Sequence, residues 1–102
     1  MRGMLRSYKL SKRAIKDLEG IWRYTLDTWS REQANKYVED LLSACSEISK
    51  FPAFLGRTYE HVRSGYRKYP CGKHIIFYQI RNGGSILISR ILHEKMDFDR
   101  HL

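Results

Sequence analysis

The chain has 102 residues, which is enough for one hydrophobic core and too few for two, so we expect a single domain over residues 1–102. Its content of 42% hydrophobic and 13% aromatic residues excludes an intrinsically disordered protein. The formal net charge of +8 favours an acidic partner, such as a nucleic acid, an acidic protein or an anionic membrane surface.

The first half of the chain predicts a short strand and then two helices. Residues 5–10 are typical of a strand, and Ser11 is placed to accept a hydrogen bond as the N-cap of the first helix. Ser30 and Gln33 form a capping box for the second helix, which Pro52 ends. Only Trp29 and Ser30 connect the two helices, so the helices must fold back as a hairpin.

Apolar residues spaced three and four apart define the buried face of each predicted helix. In the first helix this face comprises Ala14, Leu18, Ile21, Trp22, Thr25 and Trp29. In the second helix it comprises Ala34, Tyr37, Val38, Leu41, Cys45 and Ile48. Tyr37 is expected to be partly exposed.

The second half predicts three strands after a polar connector at residues 56–64. The strands are predicted at residues 66–69, 74–80 and 85–93. Turns are predicted at Pro70-Cys71-Gly72 and at Asn82-Gly83-Gly84, where glycine permits positive φ angles. The last strand is apolar on both sides, which is typical of a central strand covered on both faces. We therefore predict an α+β fold: an N-terminal strand, a two-helix hairpin, a three-stranded antiparallel sheet and a short C-terminal turn or helix.

The histidines, cysteines and apolar runs limit the location and the chemistry. Cys45 and Cys71 have no CxxC spacing and do not indicate a disulfide, which fits a reducing compartment. No paired metal-ligand spacing occurs among His61, His74, His93 and His101. No run approaches the roughly 20 apolar residues of a membrane span, and residues 1–10 lack the apolar region of a signal peptide. We expect a cytoplasmic protein without metal, cofactor or membrane contact.

Five stretches carry a family resemblance over nearly the whole chain. They are DLEGIWRYTLDTW, QANKYVEDL, FPAFLGR, GYRKYPCGKHIIFYQI and ISRILHEKMDFDRHL. Together they resemble the ParE toxins of type II toxin–antitoxin modules, within the RelE/ParE superfamily. The resemblance implies a toxin that poisons DNA gyrase without catalysing a reaction. It also implies neutralisation by a ParD-like antitoxin in a hetero-oligomer, and it leaves direct nucleic-acid binding open.

The alternative is a ribosome-dependent messenger RNA endoribonuclease of the RelE type. Some of those relatives end in a histidine and a tyrosine, and histidine suits acid–base work on the 2′-OH because it titrates near neutrality. Here His101 is followed by Leu102, and no tyrosine occurs after Tyr78. The missing terminal aromatic favours the non-enzymatic toxin, so no catalytic residue is predicted.

Basic residues and histidines on the predicted sheet and tail are the candidates for target binding. They are Arg67, Lys68, Lys73, Arg81, Arg90, His93, Arg100 and His101. They could contact phosphates or an acidic protein surface, or they could be solvated charges. Arg90 interrupts an apolar strand, where a charge is costly without a partner, so it is expected to bind a target or to form an ion pair.

Two further groups are open to more than one interpretation. The tyrosines Tyr59, Tyr66, Tyr69 and Tyr78 could stack on bases, but aromatic residues at strand spacing are more often core. In the tail, Met96 and Leu102 are expected to reach the core while Arg100 and His101 stay exposed. If a helix starts after His93, it would place His93 and Asp97 four residues apart.

Overall fold

The computed structural model describes residues 8–51, 57–58 and 65–102. Its elements are β1 (Tyr8–Leu10), α1 (Lys12–Thr28), α2 (Arg31–Lys50), β2 (Arg57–Thr58), β3 (Tyr66–Cys71), β4 (His74–Ile80), a 3₁₀ turn (Asn82–Gly84), β5 (Ile86–His93) and α3 (Phe98–His101). None of the described helices is long and apolar enough to cross a membrane. Residues 5–7 of the predicted first strand, Pro52, Tyr59, His61 and most of the predicted connector lie outside the described ranges.

Serine side chains start both long helices, as predicted. The Ala14 N–H donates to Ser11 Oγ at 3.0 Å, and the Gln33 N–H donates to Ser30 Oγ at 3.1 Å. Each bond satisfies a backbone donor that has no partner within its helix. Trp29 contradicts the predicted buried face, because its side chain is 74% exposed. It is the C-cap of α1, where the backbone leaves the helical path and the side chain no longer follows the buried stripe.

The five described strands form one mixed sheet in the order β1-β5-β4-β3-β2. β1 runs parallel to β5, and the other neighbours are antiparallel. The α+β architecture is confirmed, with the short β2 added beside Arg67 and Lys68. The turn predicted at Pro70 is wrong, since Pro70 lies in β3 opposite Ile75 and the chain turns at Gly72 and Lys73. Among the residues that the structure describes, β2 pairs with Arg67 and Lys68 and none pairs with Pro70 on that side, where a strand tolerates its missing N–H.

Side chains cover both faces of the sheet. On one face, α1 and α2 pack against buried residues of β4 and β5: Ile76, Tyr78, Ile86, Ile88 and Ile91. On the other face, Phe77 and Leu92 pack against Phe98 and Leu102 of the C-terminal segment. The prediction that the last strand is internal and covered on both sides is therefore confirmed. Tyr78 is fully buried and belongs to the core.

Candidate functional site

Beyond the end of β1, residues at the start of α1 form hydrogen bonds with the edge of β5. β1 pairs with β5 only as far as Leu10 opposite Ile88. The Ser11 N–H donates to the Ile88 carbonyl at 2.9 Å, and Ser11 Oγ donates to the Ser89 carbonyl at 2.7 Å. Further along, the Ile91 N–H donates to Asp17 Oδ2 at 2.9 Å. The Ser11 backbone and the side chains of Ser11 and Asp17 therefore replace the missing strand along this part of the edge.

Arg90 forms a two-pronged ion pair with Asp17. Its Nε donates to Asp17 Oδ2 and its Nη2 to Asp17 Oδ1, each at 2.8 Å, and Nη1 donates to the His101 carbonyl at 2.8 Å. Both side chains are 13% exposed, so water competes little with the pair. The hydrogen bonds that Arg90 donates to Asp17 raise the pKa of Arg90 above its usual value. Of the two roles expected for Arg90, the structure shows the ion pair.

A groove of about 630 Å³ opens beside this ion pair. One wall is α1 with Lys16, Gly20 and Tyr24, and the base is the end of β5 from Ile91 to His93. The remaining boundary is formed by Trp29, Gln33, Tyr37, Lys73, His74 and Met96. A cavity of this size lies in the range of ligand and peptide sites in proteins.

Tyr37, His74 and His93 form a linked group at the end of the groove. The Lys73 N–H donates to Tyr37 Oη at 3.0 Å, and a hydrogen bond of 2.7 Å joins this hydroxyl to His74 Nδ1. The His74 and His93 rings meet edge to face with their centroids 5.3 Å apart. Burial, and next the neighbouring His93, lower the pKa of His74 from 6.5 to about 4. A neutral His74 can accept a hydrogen bond from the Tyr37 hydroxyl at Nδ1 in the tautomer that carries its proton on Nε2.

Gly72 is required at the turn that carries this group. Its φ is +61°, and a Cβ at this position would lie 2.8 Å from the Tyr37 ring and hydroxyl. Any larger residue would therefore strain the backbone and displace Tyr37. The turn thus holds the Tyr37 hydroxyl against both Lys73 and His74.

The lowered pKa of His74 predicts an acid-sensitive fold. Because the folded-state value of about 4 lies below 6.5, the unfolded chain binds a proton more readily between these values. The stabilisation is therefore complete above about pH 6.5 and is lost as the pH falls toward 4. His74 is partly exposed, so we expect a slope below the limit of about 1.4 kcal/mol per pH unit for one proton.

Urea unfolding between pH 4.5 and 7 measures this slope. His74→Gln should flatten it relative to the unmodified protein. The charged or titratable groups that act on His74 are His93, Asp17 and Glu94, and all three are retained in the variant. Equal slopes in both proteins would show that the acid sensitivity comes from other groups.

The structure distributes the eight candidate target-binding residues over several surfaces. Lys73 and His93 meet in the groove, whereas Arg90 and the His101 backbone meet beside Asp17. Arg67 and Lys68 lie on β3, opposite Tyr78 and Phe77 of β4. The other two are exposed: Arg81, which donates to Gln79 Oε1 at 3.3 Å, and Arg100 on α3.

The tail differs from its predicted arrangement in three respects. Met96 is 38% exposed and lines the groove, and His101 is half-buried rather than exposed. His93 Nδ1 accepts a hydrogen bond from the Lys95 N–H at 3.1 Å, so a turn forms here and α3 starts only at Phe98. The turn directs Met96 away from the core. Leu102 packs on the sheet, as expected.

Three residues of the site were missing from the candidates: Asp17, Tyr37 and His74. Asp17 is one of several acidic residues on α1, and its contact with Arg90 spans 73 positions. Tyr37 was assigned only to the helix stripe. His74 offered a weak signal, because it is a polar residue at the start of an apolar strand. In the sheet this end of the strand lies opposite His93.

Known proteins of similar sequence align with most of this chain. A family model described as the ParE toxin of the type II toxin–antitoxin system parDE matches residues 8–98. Toxin ParE1 of Mycobacterium tuberculosis (strain H37Rv) is 40% identical over 95 residues, covering 93% of this chain and 96% of the relative. Toxin ParE1 of Caulobacter vibrioides is 37% identical, covering 96% and 99%. Toxin ParE of Escherichia coli is 32% identical, covering 89% and 87%.

Two solved structures share the fold. A chain of the chromosomal ParDE system from P. aeruginosa superposes with a TM-score of 0.75 at 23% identity, covering 85% of this chain and 94% of that one. A chain of the RelBE2 toxin–antitoxin complex from Mycobacterium tuberculosis superposes with a TM-score of 0.59 at 16% identity, covering 86% and 96%. At these identities the likeness is one of fold.

Proposed function

This chain belongs to the ParE toxin family of type II toxin–antitoxin systems, and on that premise we propose that it poisons DNA gyrase. It binds gyrase and stabilises the state in which the enzyme holds cleaved DNA, so that replication is blocked. A ParD-like antitoxin neutralises it by forming a hetero-oligomer. The toxin acts in the cytoplasm by binding alone and catalyses no reaction.

The ion pair of Arg90 supports the proposal that the toxin catalyses no reaction. An RNA-cleaving relative needs free basic groups to hold the scissile phosphate. The Arg90 guanidinium is instead occupied by the Asp17 carboxylate and the His101 carbonyl. Using it for phosphate would leave the Asp17 carboxylate without its cation in a site that is only 13% exposed. Arg90 is therefore a structural cation.

The gyrase-binding surface is proposed on the face that carries α3. Arg100 is exposed on α3, and the adjacent His101 side chain is half-buried. Lys68 lies on the same face of the sheet, opposite Phe77. The cations of this face can meet an acidic protein surface or DNA held by gyrase. The groove lies on the other, helix-covered face of the sheet and is therefore separate from this surface.

A gyrase supercoiling assay run beside an RNA-cleavage assay tests the proposed function. The purified protein is expected to inhibit supercoiling and to trap cleaved DNA, while messenger RNA on translating ribosomes remains intact. Cleavage of messenger within codons, lost in His101→Ala, would overturn the gyrase assignment and establish the endoribonuclease. If a protein encoded beside the toxin suppresses neither gyrase inhibition nor RNA cleavage, the toxin–antitoxin assignment is contradicted.

The double variant Arg100→Ala/His101→Ala locates the contact in the same assay. It should weaken gyrase poisoning while its antitoxin affinity stays near that of the unmodified protein. As a control, Arg13→Ala/Arg31→Ala removes two basic side chains at exposed positions of the two helices, and one more charge than the tail variant. Equal inhibition by a folded Arg100→Ala/His101→Ala protein would exclude the tail as the gyrase contact.

A further inference from the structure

The C-terminal helix α3 is too short to hold its own orientation. It spans a single turn, Phe98–His101, and a helix of this length is not stable without contacts to the rest of the protein. Its neighbouring apolar side chains, Phe98 and Leu102, pack on the sheet. Apolar contact is non-directional, so it holds α3 against the sheet but restricts the tilt of the helix less than a hydrogen bond does.

Arg90 supplies a directional contact at the end of α3. Its Nη1 donates to the His101 carbonyl at 2.8 Å. The last carbonyls of a helix have no partner within the helix, and a basic side chain can bond to them. Arg90 lies directly opposite Phe77 in the sheet, and the Phe77 ring meets the Phe98 ring edge to face. Two paired residues of the sheet therefore hold the start and the end of α3.

Asp17 fixes the direction in which Arg90 donates. Two nitrogens of the guanidinium are bonded to the Asp17 carboxylate at 2.8 Å each. Because the guanidinium is planar, these two bonds also set the direction of Nη1. Asp17 is itself held, since it lies within α1 beside the buried Leu18 and accepts the Ile91 N–H. A continuous chain of directional contacts therefore runs from α1 through β5 to α3.

The exposed charge of α3 depends on this chain of contacts. Arg100 is exposed, and it lies between two restrained points, the Phe98 ring and the His101 carbonyl. Successive residues of a helix are rotated by about 100°, so fixing both points also fixes the direction in which Arg100 leaves the helix. If the bond to His101 were lost, Arg100 would sample several directions, and a target would bind only the fraction with the correct one.

We propose that Arg90 is a positioning residue for the gyrase contact and that Asp17 holds Arg90 in place. The pair orients α3 so that Arg100 and His101 meet gyrase without a prior rearrangement. Arg90 itself does not touch gyrase. The inference rests on the proposed function, because the contact that is positioned is the one proposed for gyrase.

Arg90→Lys tests the proposal without removing the charge. The lysine ammonium still pairs with Asp17, but it is a flexible point charge and cannot hold the carboxylate and the His101 carbonyl in one rigid plane. If the correctly oriented fraction of α3 falls to about one tenth, the concentration for half-maximal inhibition of gyrase supercoiling rises about tenfold. Arg13→Lys makes the same substitution at an exposed position of α1 and should inhibit like the unmodified protein.

Asp17→Asn tests the other half of the pair. It leaves Arg90 unchanged but removes the carboxylate that directs it, so inhibition should weaken by a factor similar to that in Arg90→Lys. Ile48→Val is the control for stability, because it removes one methylene from the core on the other face of the sheet. At a temperature where circular dichroism shows every variant to be folded, Ile48→Val should inhibit normally. Equal weakening in Ile48→Val would assign the effect to general stability and refute the positioning role.

A double-mutant cycle distinguishes positioning from an independent role of Arg90. Once Arg100 and His101 are both alanine, Arg90 has no contact left to position. In the Arg100→Ala/His101→Ala protein, Arg90→Lys should therefore weaken the remaining inhibition by less than about twofold, because the effects of coupled residues do not add. A full tenfold loss in both backgrounds would show that Arg90 acts independently of the tail, against the proposal.

Backbone ¹⁵N order parameters of the free toxin test the orientation of α3 without gyrase. The values for Arg100 and His101 should lie near about 0.85 in the unmodified protein and below about 0.6 in Arg90→Lys and Asp17→Asn. Leu41, in the core of α2, should stay rigid in every variant. A tail that is equally rigid in all variants would show that its apolar contacts suffice, and the proposal would fail whatever the gyrase assay gives.

The two remaining failures point to different conclusions. If the unmodified protein does not inhibit gyrase, the proposed function fails. If it does inhibit, and Arg90→Lys loosens the tail but inhibits equally well, only the positioning role fails.

Discussion

Replacing Asp17 with alanine is expected to lower the free energy of unfolding by about 3 kcal/mol or more. The substitution leaves the Arg90 guanidinium in a site that is only 13% exposed, with the His101 carbonyl as its remaining acceptor. Removing one partner of a buried ion pair typically costs about 3–5 kcal/mol, because the other charge stays desolvated. The Ile91 N–H also loses its acceptor, which adds to the loss.

Urea unfolding curves measure this effect, with two variants for comparison. Glu19→Ala removes an exposed carboxylate two residues further along α1 and should change stability by no more than about 0.5 kcal/mol. Asp17→Asn keeps an acceptor for Ile91 but loses the charge, so its stability should fall between the two. A loss below about 1 kcal/mol in Asp17→Ala would mean that water solvates Arg90 far better than the structure indicates.

Deleting residues 98–102 is expected to cost about 3 kcal/mol of stability. Phe98 and Leu102 pack on Phe77 and Leu92, which are 0% and 2% exposed in the full chain, and the ring centroids of Phe77 and Phe98 lie 4.9 Å apart. Burial of one such apolar side chain contributes roughly 1.5–3 kcal/mol, and Phe98 and Leu102 are each only half-buried. The deletion also removes the His101 carbonyl from Arg90.

Two substitutions in the full chain separate the contributions of the tail. Phe98→Ala should account for the greater part of the loss, and it allows a measurement even if the shortened chain does not fold. Arg100→Ala, at an exposed position of α3, should cost at most about 0.5 kcal/mol. A shortened chain as stable as the full one would show that the tail does not contribute to the core.

Local patterns in the sequence were sufficient for the helices and most strands. Ser11 and Ser30 cap helices because a hydroxyl three residues before a backbone N–H can reach it whatever the rest of the fold does. The pattern failed at Pro70, which is compatible with either a turn or a sheet edge. The pairing of β3 with its neighbour β2 decides between them, and β2 comes from a separate segment of the chain.

The site depended on contacts that no local pattern contains. The sequence identified Arg90 as a charge in need of a partner, but the choice of Asp17 follows from where β1 ends and α1 begins to flank β5. The groove likewise arises from three separated segments that bring Gly20, Tyr37 and His93 together. Met96 was expected in the core because its residue type is apolar, yet the turn after His93 directs it outward.

The parallel pairing of β1 with β5 has a consequence for synthesis of the protein. Tyr8, which precedes the helical hairpin, aligns with Ile86, which follows β3 and β4. Such long-range pairing must wait until β5 has been synthesised, and it slows folding because distant segments have to meet. The growing chain can form its helical hairpin early, but the α1-flanked edge of β5 does not exist until β5 has been made. The complete sheet, and with it the groove beside β5, therefore forms only after β5 has been translated.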